Sequence, residues 1–180
     1  MSTVLFLLLA GQLANPAPAL PIPLLEQRIH DLINTQRIER NLKPLKLDER
    51  LSKIARSHSA DMGSRGFFDH VNPDGKNPTA RAIAGKFPCK KELLDGNGGY
   101  TIGVSENIFQ NNLYRRVIYS PADKTTYDWN SINDIAMTTV KGWMESQGHR
   151  ANILNPRVDT SGLGIAVSAD DKVYITQLFC

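Results

Sequence analysis

A chain of 180 residues, 22% charged and 41% hydrophobic, is one domain's worth of ordinary globular protein with enough apolar side chains for a proper core. Its net charge is only +3, and Lys90-Lys91 and Arg115-Arg116 are the mid-chain basic doublets, a scatter that excludes an electrostatic footprint for nucleic acid. No segment is apolar over the roughly 20 residues that a bilayer span requires.

The first charged side chain is Glu26. Before it, Val4 to Ala10 form an apolar run, and Ala17-Pro18-Ala19 offers small residues for cleavage. Residues 1–19 are expected to be a signal peptide, although no Lys or Arg precedes the run, and residues 20–180 a single exported domain. A leader removed on export is expected to pack on nothing.

Pro21-Ile22-Pro23 is a stiff lead-in, and Pro23 suits a first helical turn. Leu25, Ile29, Leu32 and Ile33 recur at helical spacing, which predicts a helix from about Leu24 to Arg40 with His30 exposed among its charges. Asp48 can cap a second helix whose stripe is Leu51, Ile54, Ala55, His58 and Met62, stopped by Gly63 and Gly66. On that stripe His58 reads as a core histidine bonded to a backbone group. Phe67 to Gly75 runs from aromatic residues into a Pro-Asp-Gly turn, and Asn77-Pro78 opens a short helix ending near Gly85.

Lys86 to Gly99 reads as loop and Thr101 to Phe109 as a short strand, while Gln110 to Asn130 has no assignable period and reads as a long surface loop. Ser131 and Asp134 make a capping box before a stripe of Ile132, Ile135, Ala136, Thr139, Val140 and Trp143, with Gly148 as its stop and one more turn from His149 to Leu154. Gly162 to Ser168 and Lys172 to Phe179 alternate on either side of Ala169-Asp170-Asp171, a hairpin pattern. Helices and strands do not alternate strictly, which favours an α+β fold. The expected core includes Leu25, Ile29, Leu32, Leu51, Ile54, Ala55, Ile135, Val140, Trp143 and Ile165.

Of the four histidines, His70 and His149 lie beside turn residues, where side chains are aimed rather than packed. Glu106, in an otherwise apolar strand, needs a partner or water. These three are expected to converge on one cleft. The two cysteines, Cys89 and Cys180, are too far apart in sequence for a CxxC motif, and an even count in an exported chain suits one disulfide, two free thiols being the alternative.

Three stretches resemble the CAP superfamily of cysteine-rich secretory (SCP-like) proteins. They are Ala55 to Met62 leading into Phe68 to Gly75 and Pro78 to Arg81; Ser105-Glu106-Asn107-Ile108; and Trp143 to Leu154, followed by Gly162 to Val167 and Tyr174 to Phe179. They come in the family's order, cover about residues 24–180, and are most similar to the simpler prokaryotic branch. The resemblance implies a three-layer α-β-α sandwich with a cleft of two histidines and two acids. By motif these are His70, Glu106 and His149, with Glu145 the nearest candidate for the second acid. Ser146 stands where the eukaryotic members carry that acid, and Ser105 where glycine is usual.

Two neutral imidazoles can bind a divalent ion, zinc first, with carboxylate or water completing an open and weak site. Glu106 could instead hold one histidine's tautomer from behind. The resemblance implies a secreted, non-catalytic module for a lipid, sterol-like or cell-surface ligand. A His/Glu- or metal-dependent hydrolase and a structural or adhesion domain are the alternatives. No nucleophile–base pair is specified, and no catalytic residue is assigned.

Overall fold

The computed structural model describes residues 15–92, 99–120 and 125–180, so residues 1–14 of the expected leader lie outside the described residues. In chain order the elements are α1 (Ile22–Ile38), β1 (Lys46–Leu47), α2 (Glu49–Arg65), α3 (Pro78–Ala84), β2 (Lys90–Glu92), β3 (Tyr100–Ile102), β4 (Ser105–Asn112), β5 (Tyr114–Tyr119), β6 (Thr125–Trp129), α4 (Ile132–Glu145), α5 (Gln147–Ile153), β7 (Thr160–Val167) and β8 (Lys172–Phe179). The main sheet has the order β1-β7-β8-β4, antiparallel except for the short parallel β1–β7 pair. Two small hairpin sheets, β2–β3 and β5–β6, accompany it.

Strand alternation sorts the layers. Along β8, Val173, Ile175 and Phe179 join the large core with Leu25 and Ile29 of α1 and Ile135 and Trp143 of α4. The opposite face sends Leu178 to Leu51, Ile54 and Ala55 of α2, and Tyr174 to Met62. The result is a helix–sheet–helix sandwich of the α+β class. Side chains of period two meet helical stripes on both sides of the sheet.

The α2 layer sits unusually close to β7. A Cβ added at Gly164 would stand 1.9 Å from Arg56 N, and one at Gly162 would stand 2.3 Å from Leu51 C. Only glycine lets the helix backbone approach this near. Ser59 Oγ secures the contact by donating to Gly164 O at 2.8 Å.

Local signals explain most helix ends. The Asp48 side chain accepts from Arg50 N and Leu51 N, Gly66 stops α2 in the left-handed conformation, Asn77 caps α3, and Ser131 with Asp134 forms a full capping box on α4. Of the ten expected core residues, Leu32 alone is half-buried; it packs on the rim of the core.

The structure corrects several expectations. His30 is buried, not exposed, with Asn34 Nδ2 3.0 Å from its Nε2 and Ser161 Oγ 3.5 Å from its Nδ1. The buried face of α1 also takes Glu26, bonded to Arg56, and Arg37, whose guanidinium donates to the carbonyls of Lys43, Ile153, Asn155 and Val158. Hydrophobic periodicity does not register polar residues that are buried with partners. The expected strand over 101–109 is broken at Gly103 (φ +144) into β3 and β4. The expected surface loop over 110–130 instead carries the end of β4 and the β5–β6 hairpin. Helix α4 stops at Glu145, and Gly148 lies inside α5 rather than ending α4.

Asn15, within the expected leader, is bonded to the outer edge of β6: its Nδ2 donates to Tyr127 O at 2.6 Å and its Oδ1 accepts from Tyr127 N at 2.9 Å. A carboxamide matches the paired donor and acceptor that an edge strand leaves open. Cys89 and Cys180 are joined in a disulfide, with Cα atoms 5.6 Å apart, which ties the end of β8 to the segment before β2.

Candidate functional site

β4 is an edge strand of the main sheet, and its alternation aims neighbouring residues into different layers. Glu106 points toward α2 and α3, while Asn107 points toward α5, so the two faces of the sandwich meet at this edge.

On the first side Glu106 is almost wholly buried, with 1% of its side chain exposed, and its two oxygens are divided among partners. Oε2 accepts from Arg81 Nη2 at 2.5 Å, and Oε1 accepts from His70 Nδ1 at 2.8 Å, with His58 Nε2 3.9 Å away. A buried carboxylate is costly unless it is paired and hydrogen-bonded, and Arg81 meets that cost. Arg81 Nη1 also donates to His70 O at 2.7 Å and Lys76 O at 2.8 Å, fixing the His70 turn to α3.

On the second side Asn107 and Asn152 dock α5 onto the strand. Asn107 Nδ2 donates to His149 O at 3.1 Å, and Asn152 Nδ2 donates to Glu106 O at 3.2 Å and Asn107 Oδ1 at 2.9 Å. Trp143 Nε1, donating to Ile108 O at 2.9 Å, anchors α4 one turn earlier. Together these bonds hold the ring of His149 with its centroid 6.4 Å from that of His70. Both rings are half-buried, so the pair faces solvent.

The arrangement has a chemical consequence. His70 Nδ1 faces a carboxylate that can only accept, so Nδ1 carries the proton and Nε2 of the neutral ring keeps its lone pair. Among the described residues no hydrogen bond engages either ring nitrogen of His149. The hydrogen bond to Glu106 raises the pKa of His70 above its ordinary value, against the opposing effect of burial. Burial lowers that of His149, and the neighbouring His70 lowers it further.

His70, Glu106 and His149 are thus brought together, but Glu145 is not. Its side chain is exposed and pairs with Lys141 at 3.8 Å. Among the described residues no group of three or more His, Cys, Asp or Glu side chains is placed to hold a metal. The Glu106 oxygens are engaged by Arg81 and His70. No hydrogen bond links Ser105 or Ser146 to either histidine among the described residues. Sequence reasoning missed Arg81, Asn107 and Asn152 as builders of the site. A buried strand glutamate asks for a cation, but no local signal marks Arg81 as the one that meets it.

The α1 and α4 layer holds a separate groove of about 350 Å³ walled by Leu32, Met137, Val140 and Met144, with Lys141 and Glu145 also lining it.

A sequence model of the Cysteine-rich secretory protein family matches residues 30–179. The chain is 32% identical over 143 residues to the uncharacterized protein YkwD of Bacillus subtilis (strain 168), a match covering 79% of this chain and 43% of YkwD. It spans less than half the length of the curated relatives it matches. Among solved structures, an extracellular protein containing a SCP domain from Bacillus anthracis str. Ames superposes with a TM-score of 0.58 at 26% identity, covering 91% of this chain and 44% of that one. An outer surface protein from Borrelia burgdorferi superposes with a TM-score of 0.61 at 18% identity, covering 86% of this chain and 90% of that one. With most of its length matched in both sequence and fold, the chain belongs to the cysteine-rich secretory protein (CAP) family.

Proposed function

We propose that the chain is an exported, non-catalytic ligand-binding module whose His70–His149 pair takes a divalent cation, zinc first. The observation that carries this reading is the division of labour at Glu106. Its carboxylate is neutralised by Arg81 and orients His70, which leaves imidazole nitrogens as the open donors. Neutral imidazole suits zinc, and with only two protein donors the remaining positions go to water or to a ligand group. A bound zinc would supply Lewis acidity and a fixed positive charge for an anionic ligand atom. His70 and His149 would hold it, and Glu106 would keep His70 in the correct tautomer.

The methionine-lined groove between α1 and α4 supports an apolar ligand, because flexible thioether side chains adapt to varied hydrocarbon shapes. The extracellular nature of the Bacillus anthracis relative supports export. The test is mass spectrometry of metal ions and small molecules that co-purify with the exported full chain. Zinc together with a lipid or sterol-like species is the expected result. A preparation free of both, which also takes up neither from a zinc- and lipid-supplemented medium, would overturn the reading.

A further inference from the structure

Asn15 and Tyr127 stand 112 residues apart in sequence and meet through two hydrogen bonds. The Asn15 carboxamide donates through Nδ2 to Tyr127 O at 2.6 Å and accepts at Oδ1 from Tyr127 N at 2.9 Å. Among the described residues β6 pairs with no strand but β5, so its other edge presents backbone N–H and C=O groups. Such an edge is a template for a further chain segment. The target is held firmly. The Tyr127 ring stacks on Trp129, with centroids 4.8 Å apart and planes 16° from parallel, and meets Tyr114 edge-on at 5.2 Å. Trp129 in turn packs on the large core.

The segment that links Asn15 to α1 is stiff. Pro16, Pro18, Pro21 and Pro23 each fix φ, so the free segment has few conformations to lose when it docks. Pro16 to Ala19 run exposed, and Leu20 and Ile22 pack on the large core. Pro21 O accepts from Leu24 N at 3.0 Å and Leu25 N at 3.1 Å, which opens α1. The segment is therefore fixed at both ends, at Tyr127 and at the start of α1. A cut after Ala19 would spare the second attachment and remove the first. A leader that is discarded has no reason to carry a carboxamide matched to the donor and acceptor of one strand residue of the domain.

We propose that the open edge of β6 is the docking site of residues 15–19, and that the exported chain keeps Asn15, any processing cut falling before it rather than after Ala19. The processing half rests on the export reading given above, and the docking half does not. Ala10, Gly11 and Ala14 supply small residues closer to the apolar run than Ala17-Pro18-Ala19 does. The docked strap covers backbone groups of Tyr127 that would otherwise stand open to a strand of another chain.

The test has two arms. Intact-mass spectrometry and N-terminal sequencing of the chain recovered from the medium should give a first residue at or before Asn15. Hydrogen exchange followed by NMR should show a protected Tyr127 amide in the wild-type chain. In the Asn15→Ala variant that amide should exchange faster by about fivefold or more, the loss expected for one partly exposed hydrogen bond. A recovered chain that starts at Leu20, or anywhere after Asn15, would overturn the proposal. So would a Tyr127 amide that exchanges equally fast in both proteins. A chain that stays in the cell would overturn the export reading and the processing half with it, while the exchange arm, run on that chain, still decides the docking.

Discussion

Arg81 on α3 and Glu106 on β4 form a buried ion pair of 2.5 Å, and this pair compensates the carboxylate's charge while its other oxygen holds His70 Nδ1 at 2.8 Å. The cluster is asymmetric: one oxygen neutralises, the other orients.

Replacing Arg81 removes the cation and leaves the glutamate buried. Arg81→Met should destabilise the fold by about 3–5 kcal/mol, the usual result of breaking one side of a buried pair. The added substitution Glu106→Leu should restore part of that loss, because no charge then remains inside. Urea unfolding of the two variants checks this, and equal stability of Arg81→Met and wild type would contradict it.

The histidines should titrate on both sides of their ordinary value of 6.5. NMR of the metal-free protein should show His70 above it, held up by Glu106, and His58 and His149 below it, pushed down by burial. The stability signs follow. The raised His70 contributes stability below its unfolded pKa that is lost as pH rises through its folded one. The depressed His30 and His58 contribute stability above theirs that is lost on acidification. His70→Asn therefore removes the one compensating group, and its stability should fall more steeply than wild type between about pH 7.5 and about pH 5.5. A shallower fall in the variant would contradict the assignment.

Gly164 and Gly148 give opposite outcomes for the same substitution. Gly164→Ala drives a methyl group against the α2 backbone and should cost more than about 3 kcal/mol, since neither backbone can shift without moving a layer. At Gly148, in α5, a Cβ meets nothing within 4 Å, and Ala should be neutral or stabilising by up to about 1 kcal/mol. Thermal unfolding of both variants distinguishes the two positions.

Much of this was legible in the sequence, for local reasons. The caps at Asp48, Asn77 and Ser131 act within a turn, and the stripes of α2 and α4 follow one period. The β5–β6 hairpin was not legible because β6 is half-buried at every position, leaving no alternation to read. The convergence of His70, Glu106 and His149 could be expected from their motifs and from the cost of a strand glutamate. Arg81 could not be singled out, since nothing local separates an arginine that will meet a buried acid from one that faces solvent. The Asn107–Asn152 bond likewise depends on β4 lying at the sheet edge, which only the tertiary fold decides.

The most direct test of the account is calorimetric zinc titration of the wild-type chain beside the His70→Ala, His149→Ala double variant. Both rings stand at the sheet edge rather than within the core clusters, so the variant should remain folded, with a lowered unfolding temperature because the buried Glu106 Oε1 loses its bond from His70. The account predicts that the wild-type chain binds one zinc ion and that the folded double variant binds none. Unchanged zinc affinity in the folded double variant would contradict it.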